Sequence, residues 1–215
     1  MEQIFEGVYT EKGKLYTLNI VPGSRVYGEH LISVGGEEYR SWNPYKSKMA
    51  AAILRGLREM PIRKGSRILY LGAANGTTAS HISDIATDGI IYAVEISPRA
   101  MSDLVQVCKI RKNIIPILAD ASKPESYEII VGEVDVIYQD ISQRDQVGIF
   151  IKNMERFGGE GILMVKARSI DVSMPPKKIF DKVKREIKNK FEIKESIYLS
   201  PYSKDHMAIF VKPTL

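Results

Sequence analysis

Residues 67–78 read RILYLGAANGTT, an apolar run followed by a turn of small residues with two glycines and then two threonines. The apolar run predicts a buried strand, and the helical pattern that continues to about Ile85 predicts a helix after the turn. Small residues at such a turn let the backbone approach a ligand, while the first turn of the helix offers free N–H groups. The ligand-binding loop that we predict comprises Gly72, Ala73, Ala74, Gly76, Thr77 and Thr78.

The chain beyond this loop alternates short apolar runs with helical segments. Further strands are predicted at residues 90–95, 114–118, 134–138 and 161–165. This alternation predicts a mostly parallel sheet with helices on both faces. The last two predicted strands, residues 193–199 and 206–211, are joined by a short loop and form an antiparallel hairpin. An antiparallel hairpin at the end of a mostly parallel sheet is typical of class I methyltransferases, so we predict an α/β fold of this Rossmann-like type.

The N-terminal part of the chain has a different pattern. Strands at residues 8–10, 14–21 and 38–40, with turn signals between them, predict a small β appendage. We therefore divide the chain into an N-terminal β subdomain of residues 1–45 and a Rossmann-like domain of residues 46–215. The second domain begins with a helix over residues 47–60, for which Ser47 is the predicted cap and Pro61 the end.

The composition narrows the classes of protein that need consideration. Cys108 is the single cysteine, which predicts a reducing compartment, and three histidines with one cysteine argue against a zinc site. The chain shows no signal peptide and no run of about 18 apolar residues, so we expect a soluble, cytoplasmic protein with no bound metal and no membrane partner.

The net charge of +5 is unevenly distributed. Between Lys166 and Lys212 there are twelve Lys or Arg residues against six Asp or Glu residues. Such an excess suits an anionic partner but is equally typical of a solvated helix face. The basic side chains concerned are Lys177, Lys178, Lys182, Lys184, Arg185 and Lys188.

Acidic residues stand where successive predicted strands end. Glu95 lies 23 residues after Gly72, where a carboxylate can accept hydrogen bonds from the ribose hydroxyls of an adenosine. Asp120 follows the third strand within reach of an adenine amino group, and Asp140 follows the fourth, beside the expected reacting group. Carboxylates in such positions also often cap helices. The neighbours that complete the predicted cofactor site are Ile96, Ala121, Ile141, Ser142 and Gln143.

The glycine spacing selects among nucleoside cofactors. The Gly-x-Gly-x-x-Gly pattern of dinucleotide-binding proteins is absent, because Ala73 and Ala74 stand between the two glycines. No Gly-x-x-x-x-Gly-Lys-Ser/Thr loop is present either, which argues against a P-loop ATPase. A methionine carboxylate and a sulfonium need fewer glycines than a pyrophosphate does. These features favour S-adenosylmethionine.

Several longer stretches of the sequence resemble the fibrillarin family, the ribose methyltransferases of box C/D ribonucleoproteins. They include residues 26–29 (VYGE), 39–48 (YRSWNPYKSK), 70–81 (YLGAANGTTASH), 113–118 (NIIPIL) and 134–137 (VDVI). The resemblance begins at about residue 7 and continues to the C-terminus. The glycine- and arginine-rich extension of eukaryotic members is missing, so the chain is similar to the short archaeal form. It departs from the family at Asn75, where members usually carry serine, and at Gln139–Gln143.

The resemblance implies an activity and a set of partners. It implies transfer of a methyl group from S-adenosylmethionine to ribose 2′-hydroxyls of pre-rRNA or tRNA, directed by a box C/D guide RNA that pairs with the target RNA. The implied protein partners are a Nop-domain scaffold and, indirectly, a kink-turn-binding subunit similar to a ribosomal protein. Two alternatives stay open at this point: methylation of a protein glutamine, and a scaffold subunit whose cofactor site is vestigial.

The resemblance also implies a catalytic set. Related enzymes use a Lys-Asp-Lys-Glu constellation, whose first three places are filled here by Lys48, Asp140 and Lys166, with His206 near the fourth. Lys46 competes with Lys48 for the first place. A ribose hydroxyl is a poor nucleophile, so the chemistry requires alignment and removal of its proton, which a lysine beside a carboxylate can assist.

Overall fold

The computed structural model of the chain describes residues 1–214 and contains two β-sheets. The N-terminal sheet is antiparallel, with the order β1-β2-β3-β5-β4. Its strands are β1 (Glu2–Phe5), β2 (Val8–Glu11), β3 (Lys14–Leu18), β4 (Leu31–Val34) and β5 (Glu37–Trp42).

The second sheet has seven strands in the order β11-β12-β10-β9-β6-β7-β8. The five strands from β8 to β10 in this order are parallel, and β12 runs antiparallel between β10 and β11. The strands are β6 (Arg67–Leu71), β7 (Ile90–Glu95), β8 (Ile114–Leu118), β9 (Val136–Gln139), β10 (Glu160–Lys166), β11 (Phe191–Tyr198) and β12 (His206–Pro213). The predicted class I methyltransferase architecture with a terminal antiparallel hairpin is thereby confirmed.

Helices cover both faces of this sheet. They are α1 (Lys48–Leu54), α2 (Thr77–Ile85), α3 (Pro98–Ile110), α4 (Glu128–Val131), α5 (Gln146–Phe157), α6 (Ala167–Ile170) and α7 (Pro176–Lys188), with a short 3₁₀ turn at Pro124–Ser126. Alternate residues of β6 point to opposite faces, so that Ile68 packs with the core under α1, α2 and α3, and Leu69 packs with the core under α5 and α7.

The N-terminal sheet shares a hydrophobic core with the second sheet. Val8, Leu15 and Trp42 are buried in the same cluster as Ala79 and Ile82 of α2. The last strand of the first sheet ends at Trp42 and α1 begins at Lys48. The division into separate domains at residues 45 and 46 stays a prediction.

Three elements differ from the sequence predictions. Helix α1 ends at Leu54 rather than near Met60, because Gly56 adopts a left-handed backbone with φ +98° directly after its last turn. Strands β1 and β4 were not predicted; their residues are mostly exposed, so they lack the apolar alternation that marks a half-buried strand.

Candidate active site

A cleft of about 340 Å³ opens at the carboxyl ends of β6, β7, β8 and β9. In the sheet order β6 lies between β7 and β9, so the chain connections diverge to either side of it. Parallel α/β sheets bind ligands in the crevice at such a switch point. Ten of the residues predicted for the cofactor line this cleft: Gly72, Ala74, Glu95, Ile96, Asp120, Ala121, Asp140, Ile141, Ser142 and Gln143.

Gly72 forms the floor of the cleft where β6 ends. Its φ is +83°, and a Cβ atom added there would lie 2.8 Å from the carbonyl oxygen of Asp140. Its N–H donates to the carbonyl of Val94 at 2.9 Å, which ties the loop to β7. Both the backbone conformation and the close approach therefore require glycine at this position.

Glu95 is held in one orientation at the edge of the cleft. Its Oε2 accepts the Ala74 N–H at 2.8 Å and its Oε1 accepts the Ser97 N–H at 2.8 Å. The residue is only 9% exposed. Each carboxylate oxygen keeps a further lone pair, so the group can accept two more hydrogen bonds from a ligand with paired hydroxyls.

Asp120 is fixed in a similar way after β8. Its Oδ1 accepts the Ser122 N–H at 2.9 Å. Hydrogen bonds from the backbone and side chain of Ser122 lower the pKa of the Asp120 carboxyl, so it is ionised at neutral pH and acts as an acceptor.

Asp140 lies between two lysines where the cleft meets α1. Lys48 Nζ is 3.0 Å from its Oδ2, and Lys166 Nζ is 2.8 Å from its Oδ1. Burial raises the pKa of the Asp140 carboxyl, but the charges and hydrogen bonds of Lys48 and Lys166 outweigh it, so the net pKa is lowered. The site thus holds an ionised carboxylate with two ammonium groups.

The two oxygens of Asp140 differ in their bonding. Oδ2 accepts a hydrogen bond from Lys48, whereas Oδ1 is buried and lies in the ion pair with Lys166. The ammonium group of Lys166 also donates to the Asp140 carbonyl at 3.2 Å and to Ser142 Oγ at 2.9 Å. Each carboxylate oxygen of Asp140 is therefore paired with a different lysine.

Lys48 owes its position to the start of α1. Ser47 caps this helix, and its Oγ also accepts a hydrogen bond from the buried hydroxyl of Thr78 at 3.1 Å. Lys46, the competing lysine, lies instead 5.3 Å from the centre of the Tyr27 ring. The structure brings Lys48, and not Lys46, to Asp140.

His206 stands beside Lys166 at the start of β12, since the two are Cα partners in the antiparallel pairing. Its Nδ1 lies 2.6 Å from the Lys204 carbonyl. A carbonyl only accepts, so Nδ1 carries the proton and Nε2 is left as an acceptor in the neutral ring. Burial lowers the pKa of His206, which keeps the ring neutral at pH 7.

Four residues of the predicted loop do not line the cleft. Ala73 and Gly76 are buried beneath it, Thr77 donates to Asn75 at 3.1 Å, and Thr78 turns toward Ser47. Conversely, Val94, Ala119 and Ile149 line the cleft without having been predicted. Val94 and Ala119 adjoin predicted residues, whereas Ile149 comes from α5 and has no local motif.

The described part of the chain, residues 1–214, contains no group of three or more His, Cys, Asp or Glu side chains placed to hold a metal ion. Within the same residues, none of the helices combines the length and apolarity that a membrane crossing requires.

Comparison with known proteins gives a consistent result. The sequence model of the Fibrillarin family matches residues 1–214. The fibrillarin-like rRNA/tRNA 2′-O-methyltransferase of Methanothermobacter thermautotrophicus is 51% identical over 211 residues, covering 96% of this chain and 94% of that protein.

Two solved structures are also similar along nearly the whole chain. Aeropyrum pernix fibrillarin with natively bound S-adenosyl-L-methionine has a TM-score of 0.85 at 47% identity, covering 92% of this chain and 88% of that one. The fibrillarin of a fibrillarin/Nop5p complex has a TM-score of 0.92 at 43% identity, covering 99% of this chain and 100% of that one. From its sequence and its fold alike, the chain belongs to the fibrillarin family.

Proposed function

We propose that this chain transfers a methyl group from S-adenosylmethionine to ribose 2′-hydroxyls of rRNA or tRNA. The observation that carries the proposal is the ionised Asp140 between Lys48 and Lys166 at the mouth of a nucleoside-sized cleft. The names of relatives about half identical to this chain, and the cofactor bound to Aeropyrum pernix fibrillarin, support it.

The residues of the cleft fit this cofactor. Gly72 supplies backbone that a side chain would obstruct, and the fixed carboxylate of Glu95 suits the two ribose hydroxyls of an adenosine. Asp120 offers an ionised acceptor for an adenine amino group. We propose that the other cleft residues predicted from the sequence also contact the cofactor. They are Ala74, Ile96, Ala121, Ile141, Ser142 and Gln143.

When bound, the cofactor supplies an electrophilic methyl group on a sulfonium sulfur. Lys48 and Lys166 keep Asp140 ionised, and its carboxylate at the cleft would accept a hydrogen bond from the ribose hydroxyl and orient that oxygen for attack. Because a ribose hydroxyl becomes more acidic as its oxygen is methylated, the Asp140 carboxylate would take the proton although its pKa is low. His206, with Nε2 free beside Lys166, is the second acceptor at this site.

The partners are part of the proposal. The solved fibrillarin/Nop5p complex supports a Nop-domain scaffold as a partner of this chain. We propose in addition that a box C/D guide RNA selects the target RNA and that a kink-turn-binding subunit joins the complex through that RNA. A cytoplasmic location stays a prediction.

The test is methyl transfer from radiolabelled S-adenosylmethionine in a complex reconstituted with scaffold, kink-turn-binding subunit, guide RNA and target RNA. We expect label on one ribose 2′-oxygen of the target, located by mapping the modified nucleotide. Label on a protein glutamine instead would support the protein methyltransferase alternative. Calorimetry without saturable S-adenosylmethionine binding would support the scaffold with a vestigial cofactor site.

A further inference from the structure

A second concave surface, of about 670 Å³, lies along the outer edge of the seven-stranded sheet and takes no part in the site described above. We call it the basic groove and define it by Arg55, Arg58, Lys184, Lys188 and Lys194. These side chains come from three places: the segment that follows α1, the C-terminal half of α7, and β11. Convergence of five cations from separate elements suits an extended anion.

Carboxylates neutralise only part of this charge. Lys184 pairs with Asp181, Lys194 with Glu192 and Arg58 with Glu195, at 3.0–3.5 Å. Among residues 1–214, Arg55 and Lys188 have no carboxylate within salt-bridge distance. The Lys184–Asp181 and Lys194–Glu192 pairs are partly exposed to solvent and therefore weak, so a phosphate can compete for their ammonium groups at little cost. Glu195, which is mostly buried, keeps its pairing with Arg58.

The groove leads toward the catalytic lysines. Strand β11 is the outermost strand and ends at Tyr198, which pairs with Met207, the residue after His206. Two strand spacings, roughly 10 Å, separate β11 from β10 and Lys166. From Ile193 to Tyr198 the groove follows about 17 Å of strand, long enough to accompany several phosphates of one RNA strand.

Two tyrosines link the segment before α1 to the loop after β11; Tyr45 is exposed, and Tyr202 is partly buried against the core. Tyr202, in the loop after β11, packs edge-on against Tyr45 with ring centres 5.2 Å apart. Tyr45 is 68% exposed and lies three residues before Lys48. Single-stranded RNA is commonly held by phosphates on basic side chains and by bases stacked on such rings.

We propose that the basic groove binds the phosphates of the RNA strand that carries the target nucleotide, and that Tyr45 stacks on a base beside that nucleotide. This inference rests on the proposed function, because it places the same RNA substrate. The inference also gives a role to part of the positive charge excess noted in the sequence. Lys184 and Lys188 of α7 lie in the groove together with Arg55, which precedes them by more than a hundred residues.

The test uses the reconstituted complex with the double variant Lys184→Glu and Lys188→Glu. Its matched control is Lys109→Glu with Lys112→Glu, the same charge change on exposed residues near the opposite edge of the sheet. We expect the groove variant to raise the KM for target RNA at least tenfold and to flatten its salt dependence, with S-adenosylmethionine binding unchanged. Tyr45→Ala should lower kcat/KM for RNA about tenfold, and Tyr45→Phe should restore it.

The outcomes separate the two proposals. A wild-type complex that leaves RNA unmethylated refutes the proposed function itself. A wild-type complex that is active, with unchanged KM and salt slope in the groove variant, overturns the groove assignment alone. Loss of the scaffold protein from the groove variant in a pull-down overturns it too, because the groove would then be a protein interface.

Discussion

Two clusters in this molecule each place an aspartate between two cations, but they differ in burial and in the type of cation. In one, Asp84 of α2 pairs with Arg40 and Arg111, and Arg40 also pairs with Glu29; all four side chains are fully buried. In the other, Asp140 pairs with Lys48 and Lys166, whose side chains are 21% and 15% exposed.

The chemistry of the cations explains the difference. Arginine does not lose its proton in proteins and presents a rigid fork of donors, which suits a permanent, neutral network that joins the N-terminal sheet to α2. Lysine is a compact charge that can exchange partners, and the cleft cluster, with two lysines and one aspartate, carries a surplus positive charge. Similar charges thus stabilise the fold where they are fully buried, and we propose a catalytic role for them where they border the cleft.

The largest effect should come from the cleft. Asp140→Ala or Lys166→Ala should abolish methyl transfer, a loss on the order of 10²–10⁴-fold, while the protein stays folded. Single-turnover assays in the reconstituted complex measure the rate, and circular dichroism checks the fold. Wild-type turnover in both variants would remove these residues from the catalytic set.

Asp84→Asn should act on stability instead. It leaves two buried arginines with Glu29 as their remaining carboxylate, and breaking a buried ion pair costs about 3–5 kcal/mol. Urea denaturation measures the free energy of unfolding. The control is Asp88→Asn, whose ion pair with Lys64 is exposed to solvent and should contribute far less to the free energy of unfolding. Equal effects of the two variants would contradict the assignment of a structural role to the buried cluster.

The smallest effect concerns His81, which borders the buried cluster. Its ring lies between the hydroxyls of Thr17 and Tyr27, and burial together with the charges of Arg40 and Arg111 holds its pKa well below 6.5. Below pH 6.5 the unfolded chain binds a proton at this position and the folded chain does not. Stability should therefore fall as the pH drops from 7 to 5, by up to about 1.4 kcal/mol per pH unit.

Urea denaturation at several pH values measures that slope. His81→Gln should flatten it, whereas His30→Gln, at an exposed position, should leave it as in the wild type. His206, whose pKa is also lowered, contributes in the same direction and keeps part of the slope in both variants. A His81→Gln slope as steep as the wild-type slope would show that His81 takes up protons in the folded protein.

The sequence predicts the cleft well because its residues follow a rule of topology. Gly72, Glu95, Asp120 and Asp140 each lie at or just after the carboxyl end of a parallel strand, and these ends meet at one edge of the sheet. The position of Lys48 could be proposed only from resemblance, since it depends on how α1 packs across the end of the sheet. The sequence does not predict the roles of Ile149 and the groove residues for a similar reason, because these residues come together from distant parts of the chain.

Turns and exposed strands were less predictable than the cleft. Strands β1 and β4 carry few buried residues, so pairing with their neighbours defines them rather than their own apolar pattern. The hydroxyl of Thr78 matches a cofactor-binding motif in sequence, yet it donates to Ser47. A motif indicates where a residue lies along the chain, and the neighbouring helix decides which way its side chain turns.

The tight approach of Gly72 to the Asp140 carbonyl also limits how the enzyme could be re-engineered. A variant intended to transfer alkyl groups larger than methyl needs extra space in the cleft. No space can be gained at Gly72, because it has no side chain to remove and its backbone already packs against the backbone of Asp140. Space can be gained by trimming side chains elsewhere in the cleft lining, and Ile149 is the natural first choice, because it lines the cleft from α5 and is not part of the lysine–aspartate cluster.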